Sequence, residues 1–451
     1  MQETAANREH VDVLIAGGSI AGVAAAAALA QLGLRILIVE PSPDQGRRLA
    51  GELVHPPGID GLRELGLLGK DDGLGQPVQG FAVFSQGKDA GPQPMVLPYG
   101  DVDGQRPVGL AIEHTTLKER LLERVKTFNA VDVWQGARVT AMDAVAGGAY
   151  VATVEAGSGE PAMRVHAKLI LGADGPMSQM RKMIGIQYDT QRYSGMIGTE
   201  VSDTHLPHRG YGNIFLNQVG VSYAYAIGGG RVRVMFEILK GADQKESIAA
   251  HLAAFPEDFR LEVQEAMAAS KPLAAANYCI IPETTVKANV ALIGDARGCC
   301  HPLTASGITA AVKDAFVLRD ALRKHHLDFS AALREYAQVC DQLQLTRRTL
   351  AEELREAFLA ETPQAKLLKQ CIFSYWKTSP QGRAESMNLL STLNSSIIAL
   401  AVQYAMVALQ AFRLLPQWVK GNALMDWVRG VMGLLSKSLN FQYVAISQRF
   451  R

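Results

Sequence analysis

The sequence lacks the markers of several protein classes. It holds no C-x-x-C pair: the five cysteines, Cys279, Cys299, Cys300, Cys340 and Cys371, are odd in number. That argues against a disulfide framework and a zinc site, and for a reducing compartment. Adjacent residues rarely ligate one metal together, so Cys299 and Cys300 read as small packing residues and no metal is expected. An excess of charge is also missing. The formal net charge is +1, with no lysine- or arginine-rich run interleaved with aromatics. Nucleic acid is therefore not an expected partner. There is no H-E-x-x-H, G-x-S-x-G or P-loop. Only ten polar residues precede the first apolar run, too few for a cleaved signal peptide. The alanine-rich stretch at 23–30 sits between two strand-like runs and reads as a buried helix rather than a membrane span.

What is present is a globular composition, 48% hydrophobic and 20% charged over 451 residues, enough for two or three domains with a core. "VDVLIAGGSIAGVAAAAALAQLGLRILIVE" (11–40) reads as strand, glycine turn, helix and strand. Gly17 permits the tight turn, and Gly22 lets the helix approach the strand. The position between them, where backbone meets a pyrophosphate, is Ser19. The helix N-terminus offers free N–H groups to phosphate. Glu40 ends the second strand, where a ribose-binding carboxylate is expected. NAD and FAD both use this unit.

Two later stretches pair with it. In "KLILGADGPMSQMRKMIG" (168–185) a strand runs into Asp174-Gly175, followed by Ser178 and Arg181. In "VALIGDARGCCHPLTASGITAAVKDAFVL" (290–318) a strand ends at Gly294-Asp295, followed by His301-Pro302 and Gly307. Aspartates at strand C-termini sit where open α/β sheets bind ligands. The three stretches together resemble the signature of FAD-dependent monooxygenases of the para-hydroxybenzoate hydroxylase type. "RLAGELVHPPGIDGLRELGL" (48–67), the HPLT run and "CIFSYWKTSPQGRAESMNLLSTLNSSIIALAVQYAMVALQAFRLLP" (371–416) are similar to the squalene epoxidase branch of that family.

The resemblance implies FAD as cofactor, with NAD(P)H supplying electrons directly or through a reductase. It implies insertion of one oxygen atom from O2, via a flavin C4a-hydroperoxide, into an alkene of an apolar isoprenoid or polyene. Aromatic or quinone hydroxylation and flavin-dependent prenyl reduction are the alternatives on the same fold. Carried over by position, Gly17, Ser19, Gly22 and Glu40 would hold the ADP end. Arg48 and Glu52 would lie by the flavin cleft, Asp174 and Asp295 would bind the cofactor, and Pro302 and Gly307 would line the isoalloxazine. The sequence departs from that branch at Thr116, where an FAD-contacting arginine stands, at Phe81 for a tyrosine, and at Ala305 and Ser306 for two glycines. Those changes argue against squalene itself as the substrate. No dedicated acid/base pair is evident. His301 reads equally as a turn cap and as a catalytic group.

The expected fold is α/β: a Rossmann-like FAD-binding domain, an antiparallel β-sheet substrate domain and a C-terminal helical region. Segments 1–80, 107–185 and 272–345 carry the motifs; 81–106 and 186–271 read as the sheet; 346–451 reads as a helical cap. Tyr193, Tyr211, Tyr223 and Tyr225 alternate as on a strand face and, with Phe81, fit either a sheet face or a substrate-pocket wall. Ile397–Phe412 is an apolar run of 16 residues, short for a bilayer span. The tryptophans and cations after it (Trp418, Lys420, Trp427, Arg429, Lys437) suit a helix lying in a membrane interface. Cytoplasmic location, with peripheral membrane association through these helices, is the resulting expectation.

Overall fold

The computed structural model describes residues 8–42, 49–69, 72–85, 93–100, 107–145, 148–157, 161–217 and 219–449. Its first sheet has eight strands. Five are parallel in the order β8 (Val131–Gln135), β2 (Ile36–Glu40), β1 (Arg8–Ala16), β11 (Met163–Gly172), β18 (Val290–Leu292), and β17 (Val286–Lys287) pairs antiparallel at the edge. β9 (Ala137–Ala144) and β10 (Tyr150–Ala156) extend β11 as an antiparallel flap. The pleat explains the layering: Val13 and Ile15 face one core with Ile36 and Ile38, while Leu14 faces another with Leu37 and Val39. The first core is closed by α1 (Ile20–Ala30), α3 (His114–Val125) and α7 (Gly307–Lys324). Ala24–Ala28 of α1 are fully buried, because small side chains let this helix lie close to both the sheet and α7.

The second sheet has seven strands, β16 (Leu273–Pro282), β12 (Tyr188–Ser202), β15 (Arg231–Leu239), β14 (Gly220–Gly228), β13 (Gly212–Asn217), β5 (Gly80–Ser85) and β6 (Met95–Pro98). It is antiparallel except for one pair: β5, supplied from an earlier segment, runs parallel to β13. Its outer face packs Phe215, Val234 and Phe236 on α5 (Gln244–Leu252) and α6 (Glu257–Ala269). Its inner face carries Phe81, Val221, Tyr225 and Ile227. A small sheet, β3 (Leu53–Val54), β7 (Gly109–Ala111) and β4 (Gln76–Val78), joins the two halves, with α2 (Pro56–Glu64) after β3 and α4 (Gln179–Met183) after β11.

Two expected boundaries move. Residues 273–282 belong to the substrate sheet, since β16 pairs along β12 from Tyr188–Pro282 to Gly198–Leu273. The helical region does not begin at 346: α8 (Phe329–Leu359) is one 31-residue helix. Its first half packs Leu333, Tyr336 and Cys340 into the nucleotide-side core, and its last turns pack Leu354 and Phe358 against the inner sheet face. The remainder is α9 (Pro363–Thr378), α10 (Pro380–Leu390), α11 (Ile397–Ala408), α12 (Gln410–Lys420) and α13 (Leu424–Arg449). The apolar run expected to be short continues: Ile397–Lys420, broken only at Leu409, is 24 residues, long and apolar enough by length and composition to cross a membrane.

Candidate active site

The three motifs meet at the C-terminal ends of β1, β2, β11 and β18. Gly17 has φ +114°, and a Cβ there would lie 2.5 Å from the Ala173 carbonyl oxygen. A Cβ on Gly22 would lie 1.9 Å from the Gly17 oxygen. Only glycine fits at either position. Between them, Ser19 is the extended N-cap of α1 (φ −82°), half-buried, and its side chain makes no cap hydrogen bond. Its hydroxyl is thus not consumed by the helix it begins. Glu40 is buried and accepts from the Gly18 N–H (2.6 Å) and the Ser42 N–H (3.1 Å). Lys118 of α3, also buried, pairs with it at 3.2 Å. Sequence reading missed Lys118. A cation does reach this turn from the Thr116 helix, two positions later than the family pattern suggests, and the signal for it is a lysine on the core-facing side of an amphipathic helix.

The second motif is a capped, anchored corner. Asp174 Oδ2 accepts from the Gln179 and Met180 N–H groups (2.6 and 3.0 Å), and the Ser178 hydroxyl accepts from the Arg181 N–H. Asp174 Oδ1 is buried with no hydrogen-bond partner among the described residues. Arg181, fully buried, spans to the carbonyls of Pro176 and Ala296 at 2.7 and 2.8 Å. The arginine of the second motif is therefore a strut that fixes the third.

The third motif is held from behind. Arg297 makes a two-pronged ion pair with Asp314 of α7 (3.0 and 2.8 Å) and donates to the Cys340 carbonyl. The Gly294 N–H donates to the same carboxylate at 3.1 Å. With these groups turned inward, Asp295, Pro302 and Gly307 are left exposed along the opening, and a Cβ on Gly307 would meet nothing within 4 Å. His301 is fully buried. Its Nδ1 accepts from the Leu303 N–H, which places the ring proton on Nε2, donating to Glu237 of β15 at 2.9 Å. Burial would raise the Glu237 carboxyl, but the hydrogen bonds from His301 and Ser194 outweigh it and hold the group below its usual range. His301 thus is the turn cap, and it also belongs to an acid/base pair that sequence reading did not find. Glu237 carries no motif; only strand register brings it there.

The other predicted residues divide. Arg48 lies outside the described residues. Glu52 does not present a free carboxylate to the cleft: it accepts three bonds from Arg233 (2.9–3.2 Å) and one from the Tyr225 hydroxyl (3.0 Å), all buried. Phe81, Tyr223 and Tyr225 share the inner sheet face and one apolar cluster with Leu303, Leu354, Phe358, Leu367 and Trp376. Tyr193 donates to Glu352 of α8, and its ring lies 5.4 Å from that of His301. Tyr211 is not on that wall; it packs on His208, 4.9 Å between ring centroids, in the turn before β13.

A turn that excludes a Cβ at Gly17 and Gly22, an orphaned buried carboxylate oxygen at Asp174, and the exposed Asp295, Pro302 and Gly307 fit an extended dinucleotide lying across these strand ends. Solved structures support that class. The chain superposes on PqsL of P. aeruginosa, solved in complex with 2-aminobenzoylacetate, with TM-score 0.67 and 22% identity, covering 78% of this chain and 97% of that one. It superposes on the flavin-dependent brominase Bmp2 with TM-score 0.68 and 17% identity, covering 85% and 93%. The fold is that of the FAD-dependent monooxygenases. The family is shown by sequence. Residues 166–423 match the squalene epoxidase family model, and the chain belongs to that family. It is 26% identical over 424 residues to squalene epoxidase 2, mitochondrial, of Arabidopsis thaliana (89% of this chain, 70% of that protein). It is 26% identical over 386 residues to squalene epoxidase erg1 of Aspergillus fumigatus (82% and 79%). The protein is an FAD-dependent monooxygenase that uses NAD(P)H-derived electrons.

Proposed function

We propose that this enzyme epoxidises an alkene of an apolar isoprenoid or polyene substrate. One observation carries the reading. Leu303, two residues past His301, belongs to the apolar cluster built jointly by the inner sheet face and the C-terminal helices. The reactive end of the site would thus face an oily wall. The two buried histidines of this loop region, His301 and His55, each have both ring nitrogens engaged. An alkene needs no deprotonation to accept oxygen, whereas a phenol usually benefits from a base.

FAD, when bound and reduced, supplies O2 activation and the transfer of one oxygen atom. The chain supplies the rest. Gly17, Ser19 and Gly22 would admit the pyrophosphate beside the α1 N-terminus, with Glu40 and its partner Lys118 at the ribose. Asp174 Oδ1 and Asp295 would take the remaining cofactor hydroxyls. The Pro302–Gly307 backbone would floor the ring, held flat by Arg297–Asp314 and Arg181. Phe81, Tyr223, Tyr225 and the cap helices would exclude water, which the reaction requires.

Membrane contact is part of the same proposal. Val402 on α11, Leu409 at the break and Phe412 on α12 are 53–58% exposed, and Met425 and Met432 are 64–67% exposed on α13. An apolar face of this kind, beside Trp418 and Trp427, suits insertion into one leaflet and would let a membrane-dissolved substrate reach the cap. A separate reductase would fit at the aqueous side.

The test is a product screen by mass spectrometry with FAD-loaded protein, NADPH and a panel of polyenes, prenylated quinones and phenols. The expected products are mono-epoxides of the polyenes. Hydroxylated phenols with untouched polyenes, or saturated prenyl chains, would contradict the reading.

A further inference from the structure

Behind the cofactor-side loop lies a cavity of about 660 Å³ between α2, α7, α8 and the turn after α10. Its volume falls in the ordinary range for small-molecule sites. The walls are largely apolar, formed by Pro57, Phe316, Val317, Val339, Leu343 and Leu393. Its charged groups are not equivalent. Among the described residues three carboxylates line the cavity, and each has a cationic partner: Asp60 with Arg63 (3.8 Å), Glu64 with Arg319 (3.0 Å), Asp320 with Arg319 and Arg323 (2.8 and 3.5 Å).

Lys313 does not. It points from α7 into the cavity, half-buried, and donates to the Thr392 carbonyl and, at 3.5 Å, to the Ser395 hydroxyl. It forms no ion pair with any described carboxylate. Burial lowers its pKa, the response of an ammonium without a counter-charge. Thr392 holds its carbonyl toward Lys313 from a left-handed conformation, φ +60°, which is costly for a β-branched residue. Among the described residues, a cation without a counter-charge inside an apolar cavity whose other charges are matched is the complement of one anionic head on one apolar chain.

We propose that this cavity is a second ligand site, which binds a single-chain anionic amphiphile with its head on Lys313 and its chain against Phe316, Val339 and Leu343. The site is separate from the oxygenation chamber. The two share Tyr99, whose hydroxyl donates to His55 Nδ1 (2.7 Å) while His55 Nε2 donates to the Thr304 carbonyl (2.9 Å). An occupant would therefore rest one hydrogen-bond chain from the cofactor-side loop. A free carboxylate and a phosphate monoester offer the same chemistry, so both are tried.

The experiment is calorimetric titration of the full-length, FAD-loaded protein with dodecanoate, dodecyl phosphate and, as an uncharged control, 1-dodecanol. The expected result is one saturable site per chain for at least one anion, with dodecanol at least tenfold weaker. Which anion binds tighter identifies the head group. Lys313→Met, which keeps most of the stem, is expected to weaken the anion at least tenfold, Lys313→Arg to retain it, and Leu343→Trp, which fills the cavity, to abolish it. Unchanged anion binding in both Lys313→Met and Leu343→Trp would overturn the proposal, as would equal binding of dodecanol. If Lys313→Met does not fold, the Lys313→Arg and Leu343→Trp pair still decides: retention in the first with loss in the second supports the site, and any other pattern contradicts it.

Discussion

Arg297 and Arg233 do similar work in the two halves of the molecule by different routes. Each is a buried guanidinium locked to a buried carboxylate. Arg297 finds Asp314 across 17 residues, within one strand–turn–helix unit. Arg233 finds Glu52 across 181 residues, and reaches Glu200 on the neighbouring strand as well at 2.9 Å. The first pair shapes the cofactor-side turn. The second ties the inner face of the substrate sheet to the segment leading into β3. The caps and the Arg297–Asp314 pair at the nucleotide end are thus local and made by turns, with Arg181 and Lys118 as its long-range links, while the ion pairs at Arg233 on the substrate sheet are long-range and made by register.

The comparison can be broken most forcefully at the two arginines. Arg297→Met and Arg233→Met each leave a buried carboxylate uncompensated, so each should destabilise the fold by about 3–5 kcal/mol in denaturant unfolding. Their effects on cofactor should differ. Arg297→Met should lose flavin on gel filtration, and Arg233→Met should keep its FAD affinity within tenfold. Equal flavin loss in both would erase the distinction.

The next effect is a pH dependence. His55 is fully buried, and burial pushes its pKa down from 6.5 to about 4 against the opposing Thr304 carbonyl contact. Between those values the unfolded chain binds a proton that the folded chain does not. Stability is therefore full above pH 6.5 and falls as pH drops toward 4, by about 3 kcal/mol for this group. His251, held low by the same cause, adds to the slope with the same sign. His55→Gln should flatten the stability-versus-pH curve between pH 6.5 and 4. An unchanged slope would show that His55 is not the group responsible.

Two substitutions in one turn sharpen the local side. Gly22→Ala puts a methyl group 1.9 Å from backbone oxygen and should weaken FAD at least 100-fold, about 2.7 kcal/mol, by flavin fluorescence titration. Ser19→Gly should change affinity by less than about tenfold, ~1.4 kcal/mol. Complete flavin loss in Ser19→Gly would show the serine hydroxyl to be indispensable.

The same division governs what could be read from the sequence. The β1–turn–α1–β2 unit, the corner at Asp174 and the turn at Asp295 were legible because each is a short pattern with a local physical cause: a close approach, a cap, a strand end. The helical character of the C-terminal region was legible from its apolar spacing. Glu237, Lys118 and the fate of Glu52 were not. Their roles depend on which strand or helix lies beside them, and no nearby residue encodes that. The same cause misplaced Tyr211, which shares the tyrosine spacing but falls in a turn, and hid the continuity of α8, whose apolar faces serve two different cores in succession.

The most direct test of the central claim is a single turnover under labelled oxygen. Enzyme loaded with FAD is reduced anaerobically, mixed with a polyene that the screen identifies, and exposed to ¹⁸O2. The account predicts an epoxide carrying one ¹⁸O atom and no label from solvent water. A product with two added hydrogens and no oxygen, or an epoxide whose oxygen comes from water, would contradict it.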